Sequence, residues 1–136
     1  MQARPKTGTA ELILDATERR VQVLGYNGFS YADIAHELGI TTASIHYHFP
    51  AKADLGVRLI ERYTQRFLGA LRDIETGHPC TLEQLKSYAA LYEDVIANDR
   101  LCLCGMMASE FETLDAPMRA PHRVLRAQRR MGGRLA

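Results

Sequence analysis

Three residues between Ser30 and Lys52 constrain the fold of this chain more than any other feature. Ala35, Gly39 and Ile45 follow one another at steps of four and six positions. This spacing suits two short helices that approach at a small residue, turn at a left-handed glycine and are locked by a branched apolar side chain. The stretch therefore predicts a helix-turn-helix. An αα-hairpin of purely structural use is the alternative interpretation.

Residues around the turn support the same motif. Ser30 is placed to cap the first helix, and Asp33 completes a capping box three residues later. Thr41 is placed to cap the second helix, which Pro50 ends. We expect six residues to form the core of the helix-turn-helix: Ile34, Ala35, Leu38, Gly39, Ile40 and Ile45.

The second helix of the motif begins with short side chains and ends with aromatic ones. The first turn of such a helix usually reaches base edges in the major groove of DNA. Thr42 and Ser44 can hydrogen-bond there, and Ala43 can lie against a thymine methyl group. Lys52 adds a cation at a helix N-terminus, which suits a phosphate. We expect a further set of side chains on the same face to meet DNA: His46, Tyr47 and His48.

That interpretation of the second helix has simple alternatives. His46 and His48 would also suit a solvated helix end, and Tyr47 would also suit core packing. The net charge of the chain is only +1, so DNA binding has to rest on the motif and on local charge. Charge is uneven, because several arginines and no acidic residue follow Asp115.

Helical spacing of apolar residues continues on both sides of the motif, with no strand-like alternation. One helix is expected to start at a Thr9 cap and end at Gly25. A long helix is expected from Lys52 to Gly77, and another from a Thr81 cap. The inner stripe of that last helix is predicted to be Leu82, Leu85, Ala89, Tyr92 and Ile96. A further stripe is predicted along the segment 101–114: Leu101, Cys104, Met107, Ala108, Phe111 and Leu114.

We therefore predict an all-α chain. Residues 9–55 would form a three-helix, helix-turn-helix DNA-binding domain, and residues 56–136 a partial antiparallel helical regulatory domain, atypical after about 120. Side chains that could line an effector pocket, or equally an ordinary core, are Tyr63, Phe67, Tyr88, Tyr92, Met106, Met107 and Phe111.

Other classes of protein find little support in the sequence. No window approaches the ~20 apolar residues of a membrane span, and no secretory signal is evident, so we expect a cytoplasmic protein without membrane contact. The cysteines Cys80, Cys102 and Cys104 are odd in number and suggest no disulfide framework. A thiol-based metal or redox sensor is an alternative. No catalytic arrangement, cofactor motif or metal-ligand spacing is present, so we expect no enzyme, cofactor or metal; a small helical enzyme is the weaker rival.

The chain carries a longer pattern around the motif. It comprises Ile13, Ala16, Gly25-Tyr26, the run Phe29 to Ala35, Gly39-Ile40, the run Ser44 to Pro50, and Lys52. From Ile13 to Leu55 the chain thus resembles the N-terminal DNA-binding domain of the tetracycline-repressor-like (TetR/AcrR) family. The resemblance implies a homodimeric repressor that releases a double-stranded DNA operator when a small-molecule effector binds the C-terminal domain.

The resemblance also implies roles for single residues. Ser30 and Tyr31 would contact phosphates. Bases or backbone in the groove would meet Thr42, Ala43, Ser44 and Tyr47, and further phosphates would meet His46, His48 and Lys52. Thr42 stands where many members have Lys or Arg, and His46 where many have Tyr.

The second half resembles the family less specifically. Residues 82–119 are similar to the regulatory domain of one subset of the family, whose members continue with two further helices that form the dimer. The run VLRAQRRMGGRLA does not resemble those helices. We therefore expect a truncated, frame-shifted or incomplete chain; an Arg-rich end that adds a contact to DNA is the alternative. A truncated chain would also suit a partner that pairs with a full-length relative and modulates it.

Overall fold

The computed structural model describes residues 8–119 of the 136-residue chain. Six helices and two short 3₁₀ turns follow in order: α1 (Thr9–Leu24), a first 3₁₀ turn (Tyr26–Gly28), α2 (Tyr31–Leu38), α3 (Thr42–His48), α4 (Lys52–Gly77), α5 (Thr81–Ala97), α6 (Leu103–Ser109) and a second 3₁₀ turn (Phe111–Thr113). No strand occurs within this range, so the predicted all-α class is confirmed. The Arg-rich end beyond Arg119 lies outside the described residues.

Helix α1 packs against both helices of the helix-turn-helix, α2 and α3. Its inner face buries Ile13, Ala16 and Val21 completely. The helix ends where Gly25 adopts a positive φ of 81°. At the other end the prediction was wrong, because Gly8 is the N-cap, Thr9 is already helical, and no side chain caps the helix.

The α2–turn–α3 unit has the predicted local geometry. The Ser30 side chain accepts a hydrogen bond from the Asp33 amide, and the Asp33 carboxylate accepts one from the Ser30 amide, which completes the capping box. Gly39 takes the left-handed conformation, with φ 65° and ψ 34°. The Thr41 side chain caps α3 by accepting from the Ser44 amide.

The six residues expected at the core of this unit differ in burial. Ile34 and Ile45 are completely buried, and Ala35 is nearly so. Leu38 and Ile40 are half-buried and pack against the core from its edge. Gly39 is exposed, because its place depends on the left-handed turn and not on packing.

Helix α4 is buried near its N-terminal end and becomes more exposed toward its C-terminal end. Leu55, Leu59 and Ile60 in its first turns are buried. Tyr63 and Phe67 further along are half-buried. The same helix thus belongs to the N-terminal core at one end and to the second half of the chain at the other.

The prediction for α5 was wrong in two respects. Cys80 is the N-cap, and no side chain caps the helix at Thr81. The apolar stripe is also largely outward, since Leu82, Leu85 and Ile96 are 57%, 46% and 67% exposed. Helix α5 packs mainly on α4, through half-buried side chains of which only Tyr92 belongs to the predicted stripe: Tyr88, Leu91, Tyr92 and Val95.

The segment after α5 is also less regular than predicted. Instead of one helix over 101–114, the short α6 is followed by a 3₁₀ turn. Leu103, Met107 and Leu114 are buried, whereas Leu101 and Phe111 of the predicted stripe are 59% and 41% exposed. The buried side chains join the same hydrophobic cluster as those of α1, α2 and α3. The core is therefore continuous across residue 55.

Candidate nucleic-acid interface

Helix α3 presents one face to the core and the other to solvent. Ile45 on the inner face is completely buried. On the outer face Tyr47 is 84% exposed, and Thr42 and Ala43 are exposed as well. His46 is exposed, and Ser44 and His48 are half-buried. Of the seven residues in this helix, Ile45 thus faces the core, four face solvent, and Ser44 and His48 are partly covered.

The end of α3 is held in place by contacts from α2. The Tyr31 hydroxyl donates to the Phe49 carbonyl oxygen at 2.9 Å, and the Tyr31 and His46 rings lie 4.7 Å apart between centroids. Burial raises the pKa of Tyr31 to about 12, with a smaller contribution from the Asp54 carboxylate. The hydroxyl therefore remains a donor at neutral pH. The expected phosphate contact of Tyr31 stays a prediction.

Ser30 is exposed at the start of α2, but its hydroxyl already has a partner. It donates to the Asp33 carboxylate at 2.9 Å, and its oxygen accepts from the Asp33 amide at 3.3 Å. A phosphate contact by Ser30 would have to share this capping arrangement. That contact also stays a prediction.

Lys52 points into the protein. Its Nζ donates to the Phe29 carbonyl oxygen at 2.7 Å and lies 4.7 Å and 4.3 Å from the ring centroids of Tyr26 and Phe29. Burial lowers the pKa of Lys52, and nearby carboxylates, Asp115 first, partly offset that shift. In this geometry the ammonium braces the turn before α2. Its expected contact with a phosphate is untested.

The segment after α6 hydrogen-bonds to the first 3₁₀ turn, which precedes α2, and the sequence did not predict these contacts. The Glu110 carboxylate accepts hydrogen bonds from the amides of Tyr26, at 2.6 Å, and Asn27, at 3.3 Å. The Asn27 side-chain amide donates to the Thr113 hydroxyl at 2.6 Å. The Tyr26 hydroxyl donates to Asp115 at 3.3 Å, and burial, together with this carboxylate, raises the Tyr26 pKa. We call these contacts the Glu110 clasp. No local sequence signal marks it, because its partners are 84 residues apart.

Ion pairs fix α1 against α4. The Arg62 guanidinium, with a side chain only 12% exposed, lies 3.0 Å from Glu11, 2.7 Å from Asp15 and 2.8 Å from Glu18. Arg66 also pairs with Glu18. Because the Arg62 and Glu18 side chains are only 12% and 13% exposed, the ion pair between them is screened less than a surface pair. Helices α1 and α4 are thus held together by ion pairs as well as by apolar packing.

The residues expected in an effector pocket fall into two groups. Four aromatic rings form a chain in which Tyr63 contacts Phe67, Phe67 contacts Tyr92, and Tyr92 contacts Tyr88, with centroid distances of 6.2, 6.2 and 5.4 Å. Met107 is buried in the core, Met106 packs against that core, and Phe111 is exposed. A cleft of about 410 Å³ between α1, α4 and α5 is lined by Tyr63 and Phe67 but not by the other five.

The cysteines do not assemble into a site. Burial, and secondarily the neighbouring Cys102, raises the pKa of the Cys104 thiol to about 11. A thiol in that environment is a poor nucleophile and a poor metal ligand at neutral pH. Between residues 8 and 119, no group of three or more His, Cys, Asp or Glu side chains could hold a metal ion.

These features define a helix-turn-helix fold in which the second helix packs on α1 and α2, and the Glu110 clasp holds the turn before α2. The family model described as bacterial regulatory proteins, tetR family, matches residues 13–59. A TetR transcriptional regulator from Legionella pneumophila is 35% identical, with 91% of this chain and 67% of that chain covered and a TM-score of 0.83. The chain belongs to the TetR family of transcriptional regulators.

A second solved structure gives the same result. A TetR-family transcriptional regulator from Agrobacterium tumefaciens is also 35% identical, over 91% of this chain and 65% of that one, with a TM-score of 0.83. The chain thus spans about two thirds of the length of both structures. No curated protein matches the chain significantly. In the described part, no helix is long and apolar enough to cross a lipid bilayer.

Proposed function

We propose that the protein is a cytoplasmic transcriptional repressor that binds a double-stranded DNA operator as a dimer. The outward face of α3 is the observation that carries this proposal. Tyr47 is 84% exposed on a helix whose opposite face is locked by the completely buried Ile45. A large aromatic side chain that a helix keeps exposed to solvent is typical of a surface that a binding partner covers. In a helix-turn-helix that partner is the major groove.

The exposed first turn of α3 supports assigning base contacts to it. Thr42 and Ala43 are exposed and short, so the backbone can approach base edges closely. Ser44 adds a hydroxyl beside them. Phosphate contacts would come from the rim of the unit: Ser30, Tyr31, His46, His48 and Lys52. Lys52 would contact a phosphate only through donors that its bond to Phe29 leaves free.

A binding experiment with selected DNA tests the proposal. Duplexes that the purified full chain enriches from a genomic library are labelled, and binding is followed by fluorescence anisotropy at several salt concentrations. Tyr47→Ala is expected to weaken specific binding about tenfold or more and to change the sequence preference. Gln65→Ala, at an exposed polar position of α4 outside the helix-turn-helix, is the control and should leave binding unchanged. Failure to enrich any duplex, or binding without salt dependence, would refute the proposal.

Lys52 can be separated from the base-reading residues in the same assay. If its ammonium contacts a phosphate, Lys52→Ala weakens binding to all duplexes alike and lowers the slope of log affinity against log salt by about one. Lys86→Ala, at the 65% exposed side chain of α5, is the control. If Lys52 only braces the turn before α2, affinity falls while the salt slope is retained.

Relief by a small-molecule effector is the second part of the proposal. The chain of aromatic rings from Tyr63 to Tyr88 and the adjoining cleft support it, because they place aromatic rings beside a cleft that solvent can enter. The cleft also touches α1, which carries the helix-turn-helix. A ligand there would contact both halves of the chain.

A second candidate function is favoured by the exposed face of α5. Leu82, Leu85 and Ile96 on this face are the kind of surface that another protein covers. A chain that pairs through it with a full-length relative would modulate that relative. Sedimentation of the chain alone and with selected DNA discriminates the two functions. A complex of two chains on one duplex supports the repressor, and a monomer that does not bind the duplex supports the modulator.

A further inference from the structure

The cleft at the junction of α1, α4 and α5 has the size of a small-ligand site. Its volume of about 410 Å³ lies near the lower end of the ~300–1,000 Å³ that is usual for ligand pockets. One wall is α1, and the others are α4 and α5. Any molecule bound here therefore contacts the helix beneath the helix-turn-helix and the regulatory half at once.

Most charged groups around this cleft already have partners of opposite charge. Glu18 and Asp15 pair with Arg62 at 2.8 Å and 2.7 Å. Arg19 pairs with Glu37 at 3.0 Å. These groups contribute little net attraction for a charged ligand, because their charges are largely neutralised locally.

Arg100 and Asp94 are the exceptions among the charged groups that line the cleft, and of the two only Arg100 is a cation. Its Nη1 donates to the neutral side-chain oxygen of Gln22 at 3.3 Å, and the ion pairs between residues 8 and 119 do not include it. A guanidinium has five N–H donors in a planar fork that matches a carboxylate. Arg100 can therefore offer a ligand anion a stronger, charge-assisted pair of hydrogen bonds than the one it makes with Gln22.

The floor of the cleft suits a flat ring. The Tyr63 and Phe67 rings are nearly parallel, with planes 6° apart and centroids separated by 6.2 Å. Leu91 and Val95 of α5 add aliphatic surface beside them. Aromatic rings prefer offset-stacked or edge-to-face neighbours, and the solvent-accessible parts of these two parallel rings can offer such contacts to a ligand ring.

We propose that this cleft binds a small aromatic carboxylate, with the carboxylate on Arg100 and the ring against Tyr63 and Phe67. Binding draws the guanidinium away from Gln22. The neighbouring bond from the Leu101 amide to the Gln22 carbonyl oxygen, at 3.0 Å, belongs to the same junction at the end of α1. The junction therefore loosens just before the turn that leads into α2. Only this consequence for DNA binding rests on the proposed function; ligand binding itself does not.

Calorimetric titration of the full chain with phenylacetate tests the site directly. Phenylacetamide removes the charge of the probe, and cyclohexylacetate removes its aromatic ring. We expect phenylacetate to bind and both analogues to bind about tenfold more weakly or not at all. Equal binding of phenylacetate and phenylacetamide, or no binding of phenylacetate, would overturn the proposal.

Substitutions in the cleft give responses of opposite sign. Arg100→Gln should weaken phenylacetate binding at least tenfold, and Arg100→Lys should restore part of the loss because the charge returns without the fork. Asp94 lines the same cleft, and its carboxylate disfavours an anion, so Asp94→Asn should strengthen binding several-fold. Arg72→Gln, on an exposed part of α4 outside the cleft, is the control for a lost arginine. A loss caused equally by Arg72→Gln would overturn the assignment to Arg100.

The phenylacetate site and the proposed repressor function can fail separately. In the DNA assay, phenylacetate is expected to lower the affinity of the parent chain and not that of Arg100→Gln. Phe67→Leu, which keeps an apolar side chain on α4, should reduce phenylacetate binding without unfolding the protein. If phenylacetate binds through Arg100 but DNA affinity is unchanged, the site stands and relief by ligand is refuted. If DNA is never bound, the repressor proposal falls while the titration still decides the site.

Discussion

Replacing Glu110 with alanine would remove the clasp that joins the segment after α6 to the turn before α2. The Tyr26 and Asn27 amides begin the first 3₁₀ turn, so neither has a partner within that turn. Glu110 supplies an acceptor for both from a distant part of the chain. Tyr26 is only 2% exposed, and its amide would therefore lose a partner in a largely buried place.

The cost of this substitution follows from the geometry of the two bonds. A hydrogen bond to a charged group contributes about 1.5–3 kcal/mol, and the 2.6 Å bond to Tyr26 belongs in that range. The 3.3 Å bond to the exposed Asn27 is longer and contributes roughly 0.5 kcal/mol. We expect Glu110→Ala to lower the free energy of unfolding by about 2–3 kcal/mol. For a chain of this size that corresponds to a fall in Tm of roughly 6–12 °C.

Two measurements check the effect of the Glu110 substitution. Thermal unfolding gives the change in Tm, and amide hydrogen exchange should show a larger loss of protection at Tyr26 than at the buried Ile45, whose protection falls only with the global stability. Glu110→Gln retains an acceptor oxygen without the charge and should show about half the loss. Glu112→Ala removes an exposed carboxylate from the adjoining 3₁₀ turn and should be nearly neutral. Unchanged exchange at Tyr26 in Glu110→Ala, or an equal loss in Glu112→Ala, would refute this reasoning.

Three substitutions and one chemical reaction test other parts of the structure. Gly39→Ala should lower the free energy of unfolding by about 1–2 kcal/mol, for the left-handed backbone alone, because the added Cβ meets nothing within 4 Å. Gly25→Ala should lower it by on the order of 3 kcal/mol, because its Cβ would also lie 2.6 Å from the Glu110 carboxylate. Chemical denaturation of both variants measures the difference. Arg62→Ala should lower stability by about 2–3 kcal/mol, less than the ~3–5 kcal/mol of a fully buried pair, and a loss below ~0.5 kcal/mol in denaturation would contradict the role of its ion pairs. Cys104 should resist iodoacetamide at pH 8 in the native protein, while the exposed Cys80 reacts. Alkylation of Cys104, followed by mass spectrometry, should accelerate only as the pH rises toward its pKa of about 11, where the folded state also loses the stability of the protonated thiol. Equal alkylation rates of the two thiols at pH 8 would contradict the burial of Cys104.

Residues 30–52 show what the sequence by itself determined. The capping box of Ser30 and Asp33, the left-handed Gly39 and the Thr41 cap all involve partners within a few residues of one another. Such interactions are set by local backbone geometry, so the residue types and their spacing suffice to predict them. The buried Ile45 and the exposed Tyr47 follow from the same helical register.

Tertiary structure alone decided which way α5 faces and what braces the helix-turn-helix. Leu82 and Ile96 of the predicted stripe are apolar, yet they are exposed, because α4 contacts α5 through other side chains such as Tyr92. The position of Lys52 predicts a phosphate contact, which stays a prediction, and only the tertiary structure shows that its ammonium donates to the Phe29 carbonyl oxygen. Glu110 and Tyr26 meet across 84 residues. Helical periodicity specifies that a face is apolar, but only the placement of neighbouring helices specifies what covers it, and contacts between distant residues leave no local pattern in the chain.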